Sequence, residues 1–186
     1  MVGVVYLGMT TVILHLQPTG YDPIRQVVSD YAVGQFGTEM ALGFFAGGVG
    51  VAALAIAISL TSIHRTLKIG SMPLFVAGVA LFIVGAFPTD LGGAPTTIHG
   101  TIHSLLSLLV FTLGPLGMVV ISYSYNRKWF LATLLGFVVT SVFAVSVQLG
   151  FGAMGLAERG LIVVLLTWWF AMSLHIFRIS MGRPRE

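Results

Sequence analysis

Two histidines four residues apart, His99 and His103, are the strongest candidates for chemistry in this sequence. Residues at this spacing lie on the same face of a helix, so both imidazoles can face one partner. Asp90 lies nine residues upstream of His99. Only 8% of the residues are charged, so titratable groups clustered at the start of a long apolar segment indicate a functional site.

The composition is that of a membrane protein. The chain has 186 residues, of which 56% are hydrophobic, and its mean hydropathy is +0.99. Soluble domains carry roughly 25% charged residues, and a soluble fold of this size cannot hide so much apolar surface. We therefore expect one membrane domain over residues 1–186. Because the chain has no cysteine, histidine and carboxylate are its only strong metal ligands.

Six apolar segments approach the roughly 20 residues that a membrane-spanning helix needs. The predicted helices cover approximately 1–16, 39–60, 70–87, 98–123, 129–149 and 159–178. The first lacks a charged n-region and a small-residue cleavage site, so we expect a retained helix and not a signal peptide.

Two local patterns add detail to this architecture. Residues 22–34 begin with Asp22-Pro23, a pair typical of a helix start, and continue with apolar residues at helical spacing. This pattern predicts an outer amphipathic helix, with an irregular loop as the alternative. Gly43 and Gly47 form a GxxxG motif, which predicts close helix packing within the bundle in preference to a dimer interface.

The charges predict the orientation of the helices. Seven of the nine Lys and Arg residues fall on one side: Arg65, Lys68, Arg127, Lys128, Arg178, Arg183 and Arg185. The positive-inside rule makes this side cytoplasmic. The predicted fold class is thus an all-α, polytopic bundle of six transmembrane helices with both termini cytoplasmic, in a prokaryotic plasma membrane. This placement also explains the pI of about 9.6 without a nucleic-acid partner.

The same topology collects polar residues on the outer side. His15 lies at the outer end of the first helix, and Glu158 and Arg159 open the sixth. Polar groups at membrane depth are costly and normally face the bundle interior. The stripe Thr96, His99, His103 and Ser107 therefore predicts a polar pocket open to the outside.

One use of this pocket is a zinc-dependent hydrolase acting on a lipid or small amphiphile. His15, His99 and His103 would supply the three protein ligands typical of catalytic zinc. Asp90 would orient or activate the metal-bound water, whose pKa zinc lowers to about 7. Further catalytic and substrate-binding roles are predicted for Glu158, Arg159, Ser29 and Asp30.

Other uses of the same residues stay open. The outer polar groups can form a structural network, with Arg159 paired to Asp30 or Glu158. The protein would then be a non-catalytic accessory or lipid-binding subunit of a larger membrane complex. Haem ligation by histidines of two helices is a further alternative. A small transporter is less favoured, because buried charges at the helix centres and an inverted repeat are lacking.

Four motifs in order along the chain resemble one family. They are Ser29-Asp30-Tyr31 with Gly34, Phe87-Pro88-Thr89-Asp90, His99-Gly100 with His103, and Gly155-Leu156-Ala157-Glu158-Arg159-Gly160. Together they look like the domain-of-unknown-function 998 family of prokaryotic membrane proteins. The resemblance implies six helices and a membrane location but no established activity.

A looser similarity is to the intramembrane hydrolases that include alkaline ceramidases. Those proteins hold zinc with His, Asp and Ser from several helices. The similarity implies ligand roles for His99 and His103 and leaves the third ligand open. The seventh helix of those proteins is missing here, and the order of the motifs differs.

Overall fold

The computed structural model of the chain describes residues 1–18, 20–146 and 152–181. These residues form six α helices and contain no strand. The α helices are α1 (Val2–Leu16), α2 (Gly37–Thr61), α3 (Arg65–Val84), α4 (Ile98–Tyr125), α5 (Arg127–Ser146) and α6 (Met154–Met181). A 3₁₀ helix, Val28–Ala32, lies between α1 and α2.

The helices are those of a membrane bundle, as the composition predicts. Within the described ranges α2, α3, α4 and α6 are long and apolar enough to cross a membrane, whereas α1 is apolar but has only 15 residues. Large apolar side chains such as Phe82, Leu108 and Val142 are exposed on the outer helix faces, where lipid is the compatible solvent. The predicted end of the fifth span, residue 149, lies outside the described residues.

The core lies between α3 and its two neighbours. α3 packs along α2 on one side and α4 on the other, and α1 packs on α2. α6 closes the bundle against α1, α2 and α4, with α5 outside it against α4 and α6. Fully buried side chains from four helices fill the centre: Met40, Ile58, Leu74, Met118 and Met172.

The GxxxG motif of α2 packs inside the bundle, which confirms the prediction. A Cβ on Gly47 would lie 2.6 Å from Cδ2 of Leu7, and one on Gly43 would lie 3.3 Å from Cγ2 of Thr10. Both glycines therefore let α1 approach α2 closely, the usual role of small residues between membrane helices.

The segment 22–34 differs from the predicted amphipathic helix. Asp22 does cap a turn, since its Oδ1 accepts the Ile24 N–H at 2.9 Å. The backbone then becomes extended at Val27 before the 3₁₀ helix begins. The helix cannot continue because the carbonyls of Ile24 and Gln26 accept hydrogen bonds from α6. Val28, Asp30 and Tyr31 of the segment are buried against the bundle, so the segment covers one end of it.

The two ends of the bundle carry opposite charges. The acidic end holds Asp22, Asp30, Glu39, Asp90 and Glu158, and the basic end holds Arg65, Lys68, Arg127, Lys128 and Arg178. Arg25 and Arg159 are the described cations at the acidic end. This division agrees with the segregation that the sequence predicts.

The contact of α2 with α3 depends on a pair of glycines, and Gly78→Val tests it. A Cβ at Gly78 would lie 2.5 Å from the backbone nitrogen of Ala52 and 3.1 Å from the carbonyl oxygen of Gly48. Since backbone cannot yield as a side chain does, we expect a loss of about 1–3 kcal/mol in stability, measured by denaturant unfolding in detergent. Gly92→Val, at a loop position with nothing within 4 Å, is the control. Equal stability of the two variants would contradict this packing.

Candidate functional site

Arg159 is the centre of a polar cluster at the acidic end. It lies in the second turn of α6 and is half-buried. Its Nε donates to Nε2 of His15 at 2.6 Å, and its Nη1 donates to the carbonyls of Gln26 at 2.6 Å and Gly155 at 3.0 Å. Nη2 is buried and has no hydrogen-bond partner among the described residues. The guanidinium thus joins α1, the 22–34 segment and α6, with one donor left for a ligand or water.

The hydrogen bonds of His15 define its tautomer. Nδ1 lies 2.7 Å from the carbonyl oxygen of Thr11, which can only accept, so Nδ1 carries the proton. Nε2 then presents its lone pair to Arg159. Both ring nitrogens are engaged within the protein in this arrangement, and the ring packs 5.3 Å from that of Tyr31.

Glu158 attaches the same segment to α6. Its Oε2 accepts the backbone N–H of Val28 at 2.5 Å, and the N–H of Leu156 donates to the carbonyl of Ile24 at 3.1 Å. We call His15, Gln26, Val28, Glu158 and Arg159 the clasp. It bonds residues that lie more than a hundred positions apart in sequence, so it closes the acidic end of the bundle.

The 3₁₀ helix places Asp30 in the interior close to Arg159 of the clasp. Asp30 is 6% exposed, and Tyr31 is buried beside it. The hydroxyl of Tyr21 donates to the Asp30 carbonyl at 2.8 Å, which ties the loop to itself. Burial raises the pKa of the Asp30 carboxyl above its ordinary value, against the opposing effects of a backbone hydrogen bond at Val27 and the charge of Arg159.

Asp90 organises the start of α4. Its two carboxylate oxygens accept from the backbone N–H and the hydroxyl of Thr97, both at 2.8 Å. Thr97 is the N-cap, and its hydroxyl oxygen accepts the N–H of Gly100 at 3.1 Å. A Cβ at Gly100 would collide with the Asp90 carboxylate. Asp90 and Gly100 are therefore explained by their roles in forming the start of α4.

The two histidines of α4 occupy different surroundings. His103 is 3% exposed, and its Nδ1 lies 2.7 Å from the Phe87 carbonyl, so Nδ1 is the donor and Nε2 remains an acceptor. His99 is exposed, with its ring 5.6 Å from that of Phe87. Both histidines thus contact Phe87, His103 through its backbone carbonyl and His99 through its ring, but the two imidazoles do not face one polar partner.

A cavity of about 50 Å³ lies inside the bundle next to the clasp. Its lining residues on α6 run from Glu158 to Trp169, positions about 16 Å apart at the helical rise per residue. Its walls are mainly apolar side chains of α1, α2, α3, α4 and α6. Five polar residues also line it: Thr11, Ser29, His103, Ser107 and Glu158.

The structure thus separates the predicted site residues into three groups. Ser29, His103 and Glu158 line the cavity, and Glu158 also belongs to the clasp with His15 and Arg159. Asp30 is buried close to the clasp, and Asp90 and His99 lie at the start of α4. Among residues 1–18, 20–146 and 152–181, no three His, Asp or Glu side chains are placed to hold a metal ion. The zinc site stays a prediction.

The partners of Arg159 differ from those expected. The sequence suggested Asp30 or Glu158, but Arg159 donates to an imidazole and two carbonyls. In the part of the chain that the structure describes, the ion pair within 4.0 Å is Arg25 with Asp22, at 3.7 Å. The sequence did not predict that Gln26 would bond to Arg159 or that Thr97 would bond to Asp90. Thr97 has a sequence signal, a hydroxyl residue before an apolar helix, whereas Gln26 contributes only its carbonyl and has none.

Fold and site together define a six-helix membrane protein with a polar cluster closing one end over an internal cavity. The family model for proteins of unknown function named DUF998 matches residues 1–175, and the chain belongs to this family. No curated protein and no solved structure matches the chain. The similarity to alkaline ceramidases accordingly stays a prediction from the sequence.

The clasp is tested by Arg159→Gln. Hydrogen bonds to a charged group contribute about 1.5–3 kcal/mol each, so their loss should release the 22–34 segment. We expect trypsin to cleave after the exposed Arg25 at least about tenfold faster, as measured by mass spectrometry of the fragments. Arg178→Gln, an exposed arginine at the basic end, is the matched control. Unchanged cleavage in Arg159→Gln would contradict the clasp.

The contact of Asp90 with Thr97 predicts a pH dependence. The backbone N–H of Thr97, followed by its hydroxyl, lowers the pKa of Asp90 below its ordinary 3.8. A carboxyl with a lowered folded-state pKa stabilises the fold above the ordinary value and loses this effect as the pH falls through the lowered one. We expect Asp90→Ala to melt below wild type at neutral pH, with the difference closing below about pH 4. A difference independent of pH would argue against an ionised acceptor.

Proposed function

We propose that the protein binds a single-chain amphiphile with a neutral hydroxyl headgroup in the cavity beneath the clasp. One observation carries this proposal: the cavity is lined mostly by apolar side chains and carries polar side chains at the end next to the clasp. The proposed ligand places its headgroup beside Ser29, His103 and Glu158 and its chain along α6 toward Trp169.

The small size of the cavity favours one alkyl chain. Its volume of about 50 Å³ is well below the roughly 300–1,000 Å³ of sites for drug-sized ligands. A phospholipid with two chains, or a haem, is too large for this space.

The polar groups favour a hydroxyl headgroup. His103 presents Nε2 as an acceptor, because Nδ1 donates to Phe87. The carboxyl of Glu158 is a second acceptor, and the hydroxyls of Ser29 and Ser107 both donate and accept. An ionised carboxylate headgroup has no donor to offer these acceptors. Fatty alcohols and monoacylglycerols supply hydroxyl donors for them.

The charge distribution supports a location for this site. The basic end carries the described Lys and Arg residues of the interhelical loops and of the end of α6, so the positive-inside rule places it in the cytoplasm. The clasp and the polar end of the cavity then lie at the outer leaflet of a prokaryotic plasma membrane. The ligand would enter from that leaflet.

Quenching of tryptophan fluorescence tests the proposed binding. The probe is a medium-chain fatty alcohol brominated at its terminal carbon, added to protein in phospholipid nanodiscs so that no single-chain detergent competes with it. Because Trp169 lines the far end of the cavity, we expect saturable quenching that is lost in Trp169→Phe. The corresponding brominated fatty acid should bind more weakly, and a brominated two-chain phospholipid should not compete.

A matched pair of α4 variants separates the cavity from the helix surface. Ser107 lines the cavity, whereas Ser104 is exposed and does not. Ser107→Leu fills space in the cavity, so binding of the brominated alcohol should weaken about tenfold. Ser104→Leu should bind as wild type does. Equal quenching in all variants, Trp169→Phe included, would overturn the proposal.

A hydrolytic role would use the same cavity. An imidazole with a free acceptor nitrogen inside a ligand cavity is what a general base requires, and His103 has this form. Release of fatty acid from a monoacylglycerol, lost in His103→Gln, would add hydrolysis to binding. Metal content of the purified protein would then decide whether zinc takes part.

A further inference from the structure

A second lipid-facing feature lies at the opposite end of the bundle. A groove of about 490 Å³ runs between α5 and α6, and it is lined almost entirely by apolar surface. Its residues include Lys128, Trp129 and Ala132 of α5 and Val164, Trp168 and Ala171 of α6. It shares no lining residue with the cavity beneath the clasp.

Hydrogen bonds between three helices hold the base of the groove in place. Nε1 of Trp168 donates to the hydroxyl of Ser122 at 2.8 Å, and that hydroxyl lies 2.9 Å from the hydroxyl of Thr133. Ser122 is fully buried, and Thr133 is 5% exposed. This chain of hydrogen bonds joins α4, α5 and α6 beneath the groove. The groove is therefore a feature of the packed fold, formed where Ala132 and Ala171 leave space.

The positive charge at one end of the groove favours an anionic ligand. Lys128 lines the groove and is exposed, and Arg127 precedes it. Among the described residues the basic end carries no carboxylate. The indole of Trp129 lies beside Lys128, and such rings favour the level of the lipid headgroups. A cation above an apolar groove is complementary to a negative headgroup above an acyl chain.

We propose that the groove between α5 and α6 binds an anionic phospholipid, with its phosphate at Lys128 and one acyl chain along Trp129, Ala132 and Val164. Basic pockets between membrane helices on the cytoplasmic side are a known means of recognising such headgroups. The site is independent of the amphiphile proposed for the cavity, so either can fail without the other.

Native mass spectrometry of protein taken from mixed phosphatidylglycerol and phosphatidylcholine nanodiscs tests this proposal. We expect retained phosphatidylglycerol to exceed phosphatidylcholine in wild type. Lys128→Gln should reduce this preference about fivefold, the effect of one lysine near a membrane surface. Lys68→Gln, an exposed lysine at the same end but outside the groove, is the control and should keep the preference.

A second variant tests the acyl-chain part of the groove. Ala132→Phe fills the groove without changing charge, so we expect it to lower retention of both lipids. Because Ala132 is exposed, the melting temperature of this variant should stay near that of wild type. Equal loss of preference in Lys128→Gln and Lys68→Gln would overturn the proposal in favour of general surface attraction. Retention unaffected by Ala132→Phe, or displacement of the lipid by soluble glycerol phosphate, would overturn it as well.

Discussion

A cation at the start of a membrane helix must find its partners within the protein, because lipid offers none. Arg159 meets this requirement with His15 and with the carbonyls of Gln26 and Gly155. The bond to His15 connects α1 to α6, and the bond to Gln26 holds the backbone just before the 3₁₀ helix. One guanidinium thus joins the three parts of the chain that cover this end of the bundle.

Hydropathy predicted the helices well, since lipid imposes length and composition on every spanning segment. The same reasoning failed for the 22–34 segment. Asp22 starts a turn as predicted, but the carbonyls of Ile24 and Gln26 bond to α6 instead of continuing a helix. Backbone groups carry no sequence signal of their tertiary partners, so only the three-dimensional packing decides this outcome.

The histidine pair shows a related limit of spacing arguments. His99 and His103 share a helix face, as the interval of four predicts, yet one turn of α4 separates an exposed ring from one that is 3% exposed. Depth along the helix, which spacing does not report, decides the environment. Only His103 reaches the cavity, where it meets Ser29 and Glu158 from distant parts of the chain. The sequence singled out these three residues but did not predict that they line one cavity.

The two ends of the bundle use charge differently. At the acidic end, Glu158 and Asp90 accept backbone N–H groups of Val28 and Thr97, so these carboxylates hold loops and helix starts in place. At the basic end, no carboxylate of the described residues lies near Lys128 and the other described cations, so their charge is available to the membrane surface. The internal cavity opens beside the first set of groups and the α5–α6 groove beside the second. His103 and Glu158 at the cavity present acceptors for the proposed hydroxyl headgroup, and Lys128 at the groove presents a cation for the proposed phosphate.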